Sequence, residues 1–390
     1  MIQAEALVIG GGLLGCAVAY YLAGEGVNVV VVDKQQLNRG ASGQNAGSLH
    51  FQLEYRMIEG GQDAARKAAE AMPLHLQAQK VWGELSSELG AELGVVQHGG
   101  LMVAETSDQV GRLSRKVSIE QEAGLHVELL DRERVHSLAP YLGDGIVAAA
   151  LCPGEGKADP RKCTLAFAAA AARRGARVHT ELGVRSLQRN GRCWRAEFSD
   201  GRICESETIV IAAGAWSAKV AALAGAVLPI KAIALTMSVT ARAPKLIDHL
   251  LQHAGRRLSM KQSVEGNVLI GGGWPAAFKH IDGNIDLDRR PDILLSSLTG
   301  NAAAAAAVVP VTANLPVLRV WSGVTALADD QLPVIGEIAG CPGAFVAAGG
   351  SGFTLGPVYA RMLADMILAK PQQLDARAYS PARFLVGQHA

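Results

Sequence analysis

Four short stretches of the chain are almost uninterruptedly apolar, and each ends on a turn of small or acidic residues. Residues 6–9 run into Gly10, 27–32 into Asp33, 208–212 into Ala213-Gly214, and 344–348 into Gly349-Gly350. Runs of this length without alternation predict strands buried on both faces, as in a parallel sheet. A helix follows the first run. Helical spacing recurs over 62–94 (broken or kinked at Pro73), 107–123, 132–138, 288–308 and 354–369. The helix 161–174 carries its own start signal, Asp159 as N-cap and Pro160 as first helical residue. Residues 177–181, 183–189, 192–198 and 202–206 alternate with turns and predict a small antiparallel sheet. From 227 to 320 the texture changes. There 228–240, 256–262 and 268–272, the last two joined at Glu265-Gly266-Asn267, predict a second antiparallel sheet inserted into the first unit.

The first run carries chemistry as well as structure. Gly10-Gly11-Gly12-Leu13-Leu14-Gly15 fits G-x-G-x-x-G between a strand and a helix. Gly10 permits the tight turn, Gly12 lets a pyrophosphate approach the backbone, and Gly15 allows the helix to pack closely on the strand. The helix N-terminus offers N–H groups and its positive dipole end to phosphate. Asp33, closing the second strand, is placed to accept hydrogen bonds from a ribose, and an acid there disfavours a 2′-phosphate. The motif alone leaves NAD and FAD open, so an NAD(P)-dependent dehydrogenase is the alternative reading.

Composition narrows the class. The 390 residues exceed one ordinary core, and 49% are hydrophobic against 19% charged. Lys+Arg 37 against Asp+Glu 36 gives a net charge of +1, with no basic field for nucleic acid. The six cysteines are scattered, with no C-x-x-C pair, which argues against a disulfide framework and against a metal or iron–sulfur site on this chain. No stretch is long and apolar enough for a transmembrane helix. The first strand starts close to Met1, so a cytoplasmic protein is expected.

Three more glycine-rich segments share the style of the first: Ala41-Ser42-Gly43-Gln44-Asn45-Ala46-Gly47, Ile209 to Ser217, and Gly349 to Pro357. With Leu332-Pro333-Val334-Ile335-Gly336 they resemble the motifs "ASGxNAG", "VxAAGAWS", "GGxGFTxGP" and "LPVIG" of the FAD-dependent D-amino-acid oxidase and sarcosine oxidase (DAO) superfamily. The similarity covers nearly the whole chain. The last loop is closest in form to the beta-type subunits of opine oxidases and of D-hydroxyproline or L-proline dehydrogenases. The resemblance implies an α/β fold: a glutathione-reductase-type FAD-binding Rossmann domain with an inserted α+β substrate domain built on an antiparallel sheet. The corresponding boundaries are 1–80, 151–225 and 321–390 for the FAD-binding domain and 81–150 and 226–320 for the substrate domain.

FAD is long, and several distant segments must grip it. The resemblance assigns cofactor contacts to Gly10, Gly12, Leu13, Leu14, Gly15, Asp33, Lys34, Ala41, Ser42, Asn45, Ala46, Gly47, Val184, Ala213, Gly214, Trp216, Gly323, Gly350, Gly352, Phe353 and Thr354. The amides of Phe353 and Thr354 are expected to open the last helix, where its dipole would stabilise charge on the reduced ring. The implied reaction is amine or imine oxidation by hydride transfer to flavin. His50, three residues past the Asn45-Ala46-Gly47 turn, is the candidate for holding the amine proton. Family members often carry an Arg in a "GxRP" segment; here Thr325 stands in its place and cannot clamp a carboxylate. Lys261, Arg56 and Arg257 are the substitute cations, Lys261 being the one placed with His50 in the catalytic set. Trp274, Trp321 and Tyr359 are candidate pocket walls. The resemblance also implies partners: a larger flavin or nucleotide-binding subunit and a small iron–sulfur subunit. A stand-alone oxidase making hydrogen peroxide, or an electron-relay subunit, are the other readings.

Overall fold

The computed structural model describes residues 1–385. Two eight-stranded sheets organise it. In the first, five strands run parallel in the spatial order Ala344–Ala348, Ile203–Ile211, Ile2–Ile9, Val29–Val32 and Arg177–His179. Val334–Glu337 closes one edge antiparallel to Ala344–Ala348. All four residues of Val29–Val32 are buried, as expected of a parallel sheet covered on both faces. Helix Leu13–Gly24 lies over one face, packed against helices Pro160–Arg173 and Gly356–Ile367, and ten of its twelve residues are buried. Such a helix has no polar face to offer water, which fits its place between sheet and outer helices.

The second sheet has the order Val317–Ala328, Ile230–Arg242, Asn267–Gly271, Ser259–Gln262, Leu250–His253, Gly100–Ala104, Ala148–Cys152, Glu128–Asp131. Every pairing is antiparallel except Leu250–His253 with Gly100–Ala104. Strands from three stretches of the chain, 100–152, 230–271 and 317–328, therefore build it.

Several local expectations change. Arg177–His179 pairs parallel with Val29–Val32 and so extends the first sheet, because the helix Pro160–Arg173 before it supplies the crossover that a parallel strand needs. The two runs 202–206 and 208–212 are one strand, Ile203–Ile211, which pairs antiparallel with Cys193–Phe198 on one side and parallel with Ile2–Ile9 on the other. The helix expected over 288–308 begins only at Leu295; before it, Asp292–Ile293 pairs with Ala276–Ala277. The pairing accounts for the late start, since it holds Asp292 and Ile293 extended against Ala276–Ala277. At Pro73 the expected break is found: one helix ends at Ala69 and Pro73 stands in the first turn of the next, Met72–Leu89. The last helix starts at Gly356, so Phe353 and Thr354 sit in the turn ahead of it.

Candidate functional site

The parallel strands of the first sheet deliver their carboxyl ends to one place. Ile9-Gly10, Val32-Asp33, Leu182-Gly183, Ala212-Ala213 and Ala348-Gly349 all line a single cavity of about 770 Å³. Ligands of open α/β sheets bind at this edge, where the strand order reverses. Here Ile2–Ile9 has Ile203–Ile211 on one side and Val29–Val32 on the other. The second sheet covers the cavity with Ile233, Leu235 and Met237 from one strand, Gln252 and Ser259 from two more, and Val324 to Leu327 from its edge strand.

The glycine turn is as tight as its spacing implies. Gly10 has φ +117°, and a Cβ there would lie 2.4 Å from the Ala212 carbonyl oxygen. A Cβ on Gly15 would come within 1.9 Å of the Gly10 oxygen, so the helix could not approach the strand. Asp33 accepts hydrogen bonds from the N–H groups of Gly11 and Gln35, both at 2.7 Å. Burial raises its carboxyl above the usual range, against those two bonds. The Leu13 N–H donates to Ser42 Oγ at 2.9 Å, tying the helix start to the segment Ala41–Gln44. Asn45 folds that segment back on itself, its Nδ2 donating to the Ala41 and Ser42 carbonyls and its Oδ1 accepting from the Gly47 N–H.

Of the residues expected to contact the cofactor, Gly10, Gly12, Leu14, Asp33, Lys34, Ala41, Ser42, Asn45, Ala46, Val184, Ala213, Gly214, Trp216, Gly352, Phe353 and Thr354 line the cavity. Leu13, Gly15, Gly47, Gly323 and Gly350 do not line it. Leu13 is buried in the core, and the glycines lie where side chains would collide with neighbouring chain, as at Gly47, whose Cβ would sit 2.1 Å from the Ala158 oxygen. Lys34 pairs with Asp288 and lies 4.0 Å above the Trp216 ring, while Trp216 Nε1 donates to the same Asp288.

The loop 349–354 is held from outside the cavity. Tyr359 Oη donates to the Gly350 carbonyl at 2.6 Å, Trp82 Nε1 donates to the Thr354 carbonyl at 2.6 Å, and Thr354 Oγ1 donates to the Ser48 carbonyl at 3.1 Å. Trp321 does the same for the other loop through the Gln44 carbonyl at 2.8 Å. Trp274, Trp321 and Tyr359 are therefore not walls of this cavity. Two of them brace the glycine loops.

Under the second sheet, His50 is buried and its Nε2 lies 2.9 Å from Ser259 Oγ, while Nδ1 has no partner. Burial is the main reason its imidazole falls to about 4, with Lys261 and Arg56 adding to the effect, so the ring is neutral at pH 7. Beside it, Arg56 donates to Glu54 and Ser351, both at 3.0 Å, and to Gln331. Burial works to raise the Glu54 carboxyl, but the Arg56 guanidinium and the bonds from Arg56 and Ser351 hold it down at about 2.

Lys261 is near enough for its charge to act on His50, but its side chain is not in the cavity. It does not line the cavity but a small separate void with His98, Lys157 and His249, and burial pushes its ammonium far below the ordinary lysine range. Alternation along Ser259–Gln262 cannot reveal this, because the void and the cavity take side chains from the same strand. Thr325, Arg56 and Arg257 do line the cavity. Gln252 and Ser259 were not visible as site residues in the sequence. Nothing about a Gln or Ser on an alternating strand marks it, and only the pairing of Gln252 with Ser259 brings both under the roof.

These features fit an FAD: a backbone cradle that added Cβ atoms would fill, an acid at the end of the second strand, and a continuous cavity leading on to a buried, unpaired histidine nitrogen. Among the described residues no His/Cys/Asp/Glu group could hold a metal ion. Among the described residues, no helix is long and apolar enough to cross a membrane.

Comparison with known proteins gives the same answer. The model of the family DAO, FAD dependent oxidoreductase, matches residues 5–366. Glycine oxidase of Geobacillus kaustophilus (strain HTA426) is 27% identical, over 98% of this chain and 97% of that protein. An opine oxidase subunit from Rhizobium meliloti is 25% identical, over 98% of each. The crystal structure of L-proline dehydrogenase from P. horikoshii superposes with a TM-score of 0.85 at 25% identity, covering 99% of both chains. Against rat mitochondrial dimethylglycine dehydrogenase the chain spans only 45% of the relative's length.

Proposed function

Since the chain belongs to the DAO family of FAD-dependent oxidoreductases, we propose that it oxidises the C–N bond of an amino or imino acid, of the D-amino-acid, proline or opine class. The observation that carries this reading is the neutral, buried His50 in the same cavity as the glycine cradle. Bound FAD supplies the hydride acceptor. The residues proposed to hold it are those of the cradle, with Asp33 at the ribose and the amides of Gly352 to Thr354 near the ring.

The chain's own part begins with the roof. Ile233, Leu235, Met237 and Leu258 exclude water from the reacting carbon, and the strength of every polar contact there rises accordingly. A substrate amine must be neutral before its α-hydrogen can leave as hydride. His50, neutral down to about pH 4, is too weak a base to keep that proton, so its proposed part is to accept a hydrogen bond from the amine at Nδ1 and relay the proton to solvent while Ser259 holds Nε2. Arg56 and Glu54 already satisfy one another, so they act by fixing the loop at Ser351.

The proposal extends to assembly. The chain is read as one subunit of a heteromeric dehydrogenase, joined by a larger flavin or nucleotide-binding subunit and a small iron–sulfur subunit. Likeness over 98% of each chain to a protein that is itself one subunit of an opine oxidase supports this. FAD is proposed to be non-covalent, since among the described residues no cysteine lines the cavity and its one histidine, His50, is already engaged with Ser259. The test is the flavin spectrum during anaerobic addition of D-amino acids, prolines, sarcosine and opines, first to the isolated chain and then to the complex recovered with it from its host. Bleaching by one class supports the reaction. Rapid reoxidation of the isolated chain by air, with peroxide formed at full turnover, overturns the heteromeric reading.

A further inference from the structure

Three glutamines of or beside the second sheet are almost wholly buried, Gln52, Gln252 and Gln262. Two are fully engaged. Gln262 accepts from the N–H groups of Leu246 and Ile247 and donates to the carbonyls of Ala243, Pro244 and Gly266. Gln52 donates to Glu155 and accepts from Lys116. Gln252 alone leaves its side-chain nitrogen without a partner, and Gln252 alone of the three lines the cavity. A buried donor left unpaired is costly and calls for an occupant.

Five residues on, in the hairpin between Leu250–His253 and Ser259–Gln262, Arg257 lines the same cavity. Among the described residues it forms no salt bridge, and its guanidinium reaches only the Gly273 carbonyl, at 3.4 Å. It is the one cation that the second sheet contributes to the cavity. Arg56, the other candidate, is committed to Glu54, Ser351 and Gln331.

Resting on the reading that an amino or imino acid is oxidised here, we infer that Gln252 and Arg257 together hold the substrate's carboxylate, in place of the arginine that Thr325 replaces. In the unliganded chain the Gln252 nitrogen is closed off from the cavity; a turn of the amide on binding lets Nε2 donate from within the roof, and Arg257 supplies the charge from the mouth. Gln252 lies directly across the strand pair from Ser259, and Ser259 is bonded to His50. A carboxylate on Gln252 therefore brings the neighbouring C–N bond beside the imidazole. Of the rest of the roof, Ile233, Leu235, Met237 and Leu258 are apolar and Thr325 offers only a neutral hydroxyl. The substrate class is thus an amino or imino acid with one carboxylate and an uncharged side chain.

Pyrrole-2-carboxylate, a flat analogue that cannot lose a hydride, and its neutral carboxamide are the probes. Their binding to the flavin-loaded protein is followed by calorimetry, with flavin content read separately from absorbance. The wild-type protein should prefer the carboxylate. Arg257→Met should erase that preference, and Gln252→Leu and Gln252→Glu should each weaken carboxylate binding about 10- to 100-fold, the loss of one charge-assisted hydrogen bond. Gln252→Leu should also melt no lower than wild type, since it removes an unpaired buried donor. Full flavin with unchanged carboxylate affinity in the variants refutes the inference. So does a Gln252→Leu protein that loses thermal stability yet binds normally, because the side chain would then be structural. A wild-type protein without flavin instead refutes the reading on which the inference rests.

Discussion

The two walls of the cavity are built from different materials. The floor, at the carboxyl ends of the parallel strands, is mostly backbone: Gly12 and Gly352 line it without side chains, and Gly10, its N–H bonded to the Val32 carbonyl, makes a turn where a Cβ would strike the Ala212 carbonyl oxygen. The roof is mostly side chain, Gln252, Ser259, Arg257 and the apolar residues of Ile230–Arg242, carried on an antiparallel sheet. A backbone cradle suits a cofactor that never changes. A roof of side chains can be altered one residue at a time without disturbing the cradle, and that is where relatives sharing the fold can differ in substrate.

The severest way to break the comparison is to put a side chain beneath the floor, where the first helix packs on its strand. Gly15→Val places carbon where the Gly10 carbonyl oxygen already stands, 1.9 Å from the ideal Cβ. Helix and strand must part, so flavin binding should vanish and the protein should fail to fold stably. A Gly15→Val protein with full flavin would show that the close approach is dispensable.

The roof is sensitive to acid. His50 titrates at about 4 in the fold, mainly through burial, against about 6.5 in an unfolded chain. Below pH 6.5 the unfolded state binds the proton first, so stability is complete above that pH and is lost as pH falls toward 4. The loss is about 2 kcal/mol by pH 5 and about 3 kcal/mol below pH 4. Urea unfolding at pH 7 and pH 5 should therefore show His50→Gln losing about 2 kcal/mol less than wild type between the two. His75, buried and also lowered to about 4, keeps its own share in both proteins. Equal losses would mean that His50 is not buried neutral.

Floor and roof were not equally legible. The glycines, Asp33 and the loop Ala41–Gly47 could be read because backbone requirements exclude most residue types and leave a pattern of fixed spacing. Lys261 shows the opposite case: its strand was recognisable, but a lysine's reach depends on which void lies behind the sheet, and here it is the one shared with Lys157. Gln252 carried no signal at all. Its significance lies in a missing hydrogen bond, which only the assembled sheet exposes. The late helix start at Leu295 and the parallel pairing of Arg177–His179 escaped for a related reason, since neighbours in space decided them over local pattern.

A milder change to the floor is Asp33→Ala. The carboxylate holds the Gly11 and Gln35 N–H groups and is proposed to receive the ribose hydroxyls. Removing it should cost about 1.5–3 kcal/mol of FAD affinity, about 10- to 100-fold in Kd, while the strands around it stay in register. Equilibrium dialysis against free FAD measures this. Undiminished retention would move the ribose away from Asp33.

The smallest effect is expected at Thr325, and it is the sharpest test of where the roof keeps its specificity. Thr325 lines the cavity from the edge strand, directly across from Ile233, which lines it too. Its hydroxyl can give a carboxylate one neutral hydrogen bond, with neither the charge nor the two-pronged geometry of an arginine. If the carboxylate sits at Gln252 and Arg257, then Thr325→Val, which keeps the shape and removes the hydroxyl, should change KM for the substrate by less than about threefold, under about 0.7 kcal/mol. Arg257→Met in the same assay should raise KM far more. A Thr325→Val protein as impaired as Arg257→Met would place the carboxylate at the edge strand after all. The specificity of the roof would then lie in the strand Val317–Ala328 and not in the hairpin that carries Gln252 and Arg257.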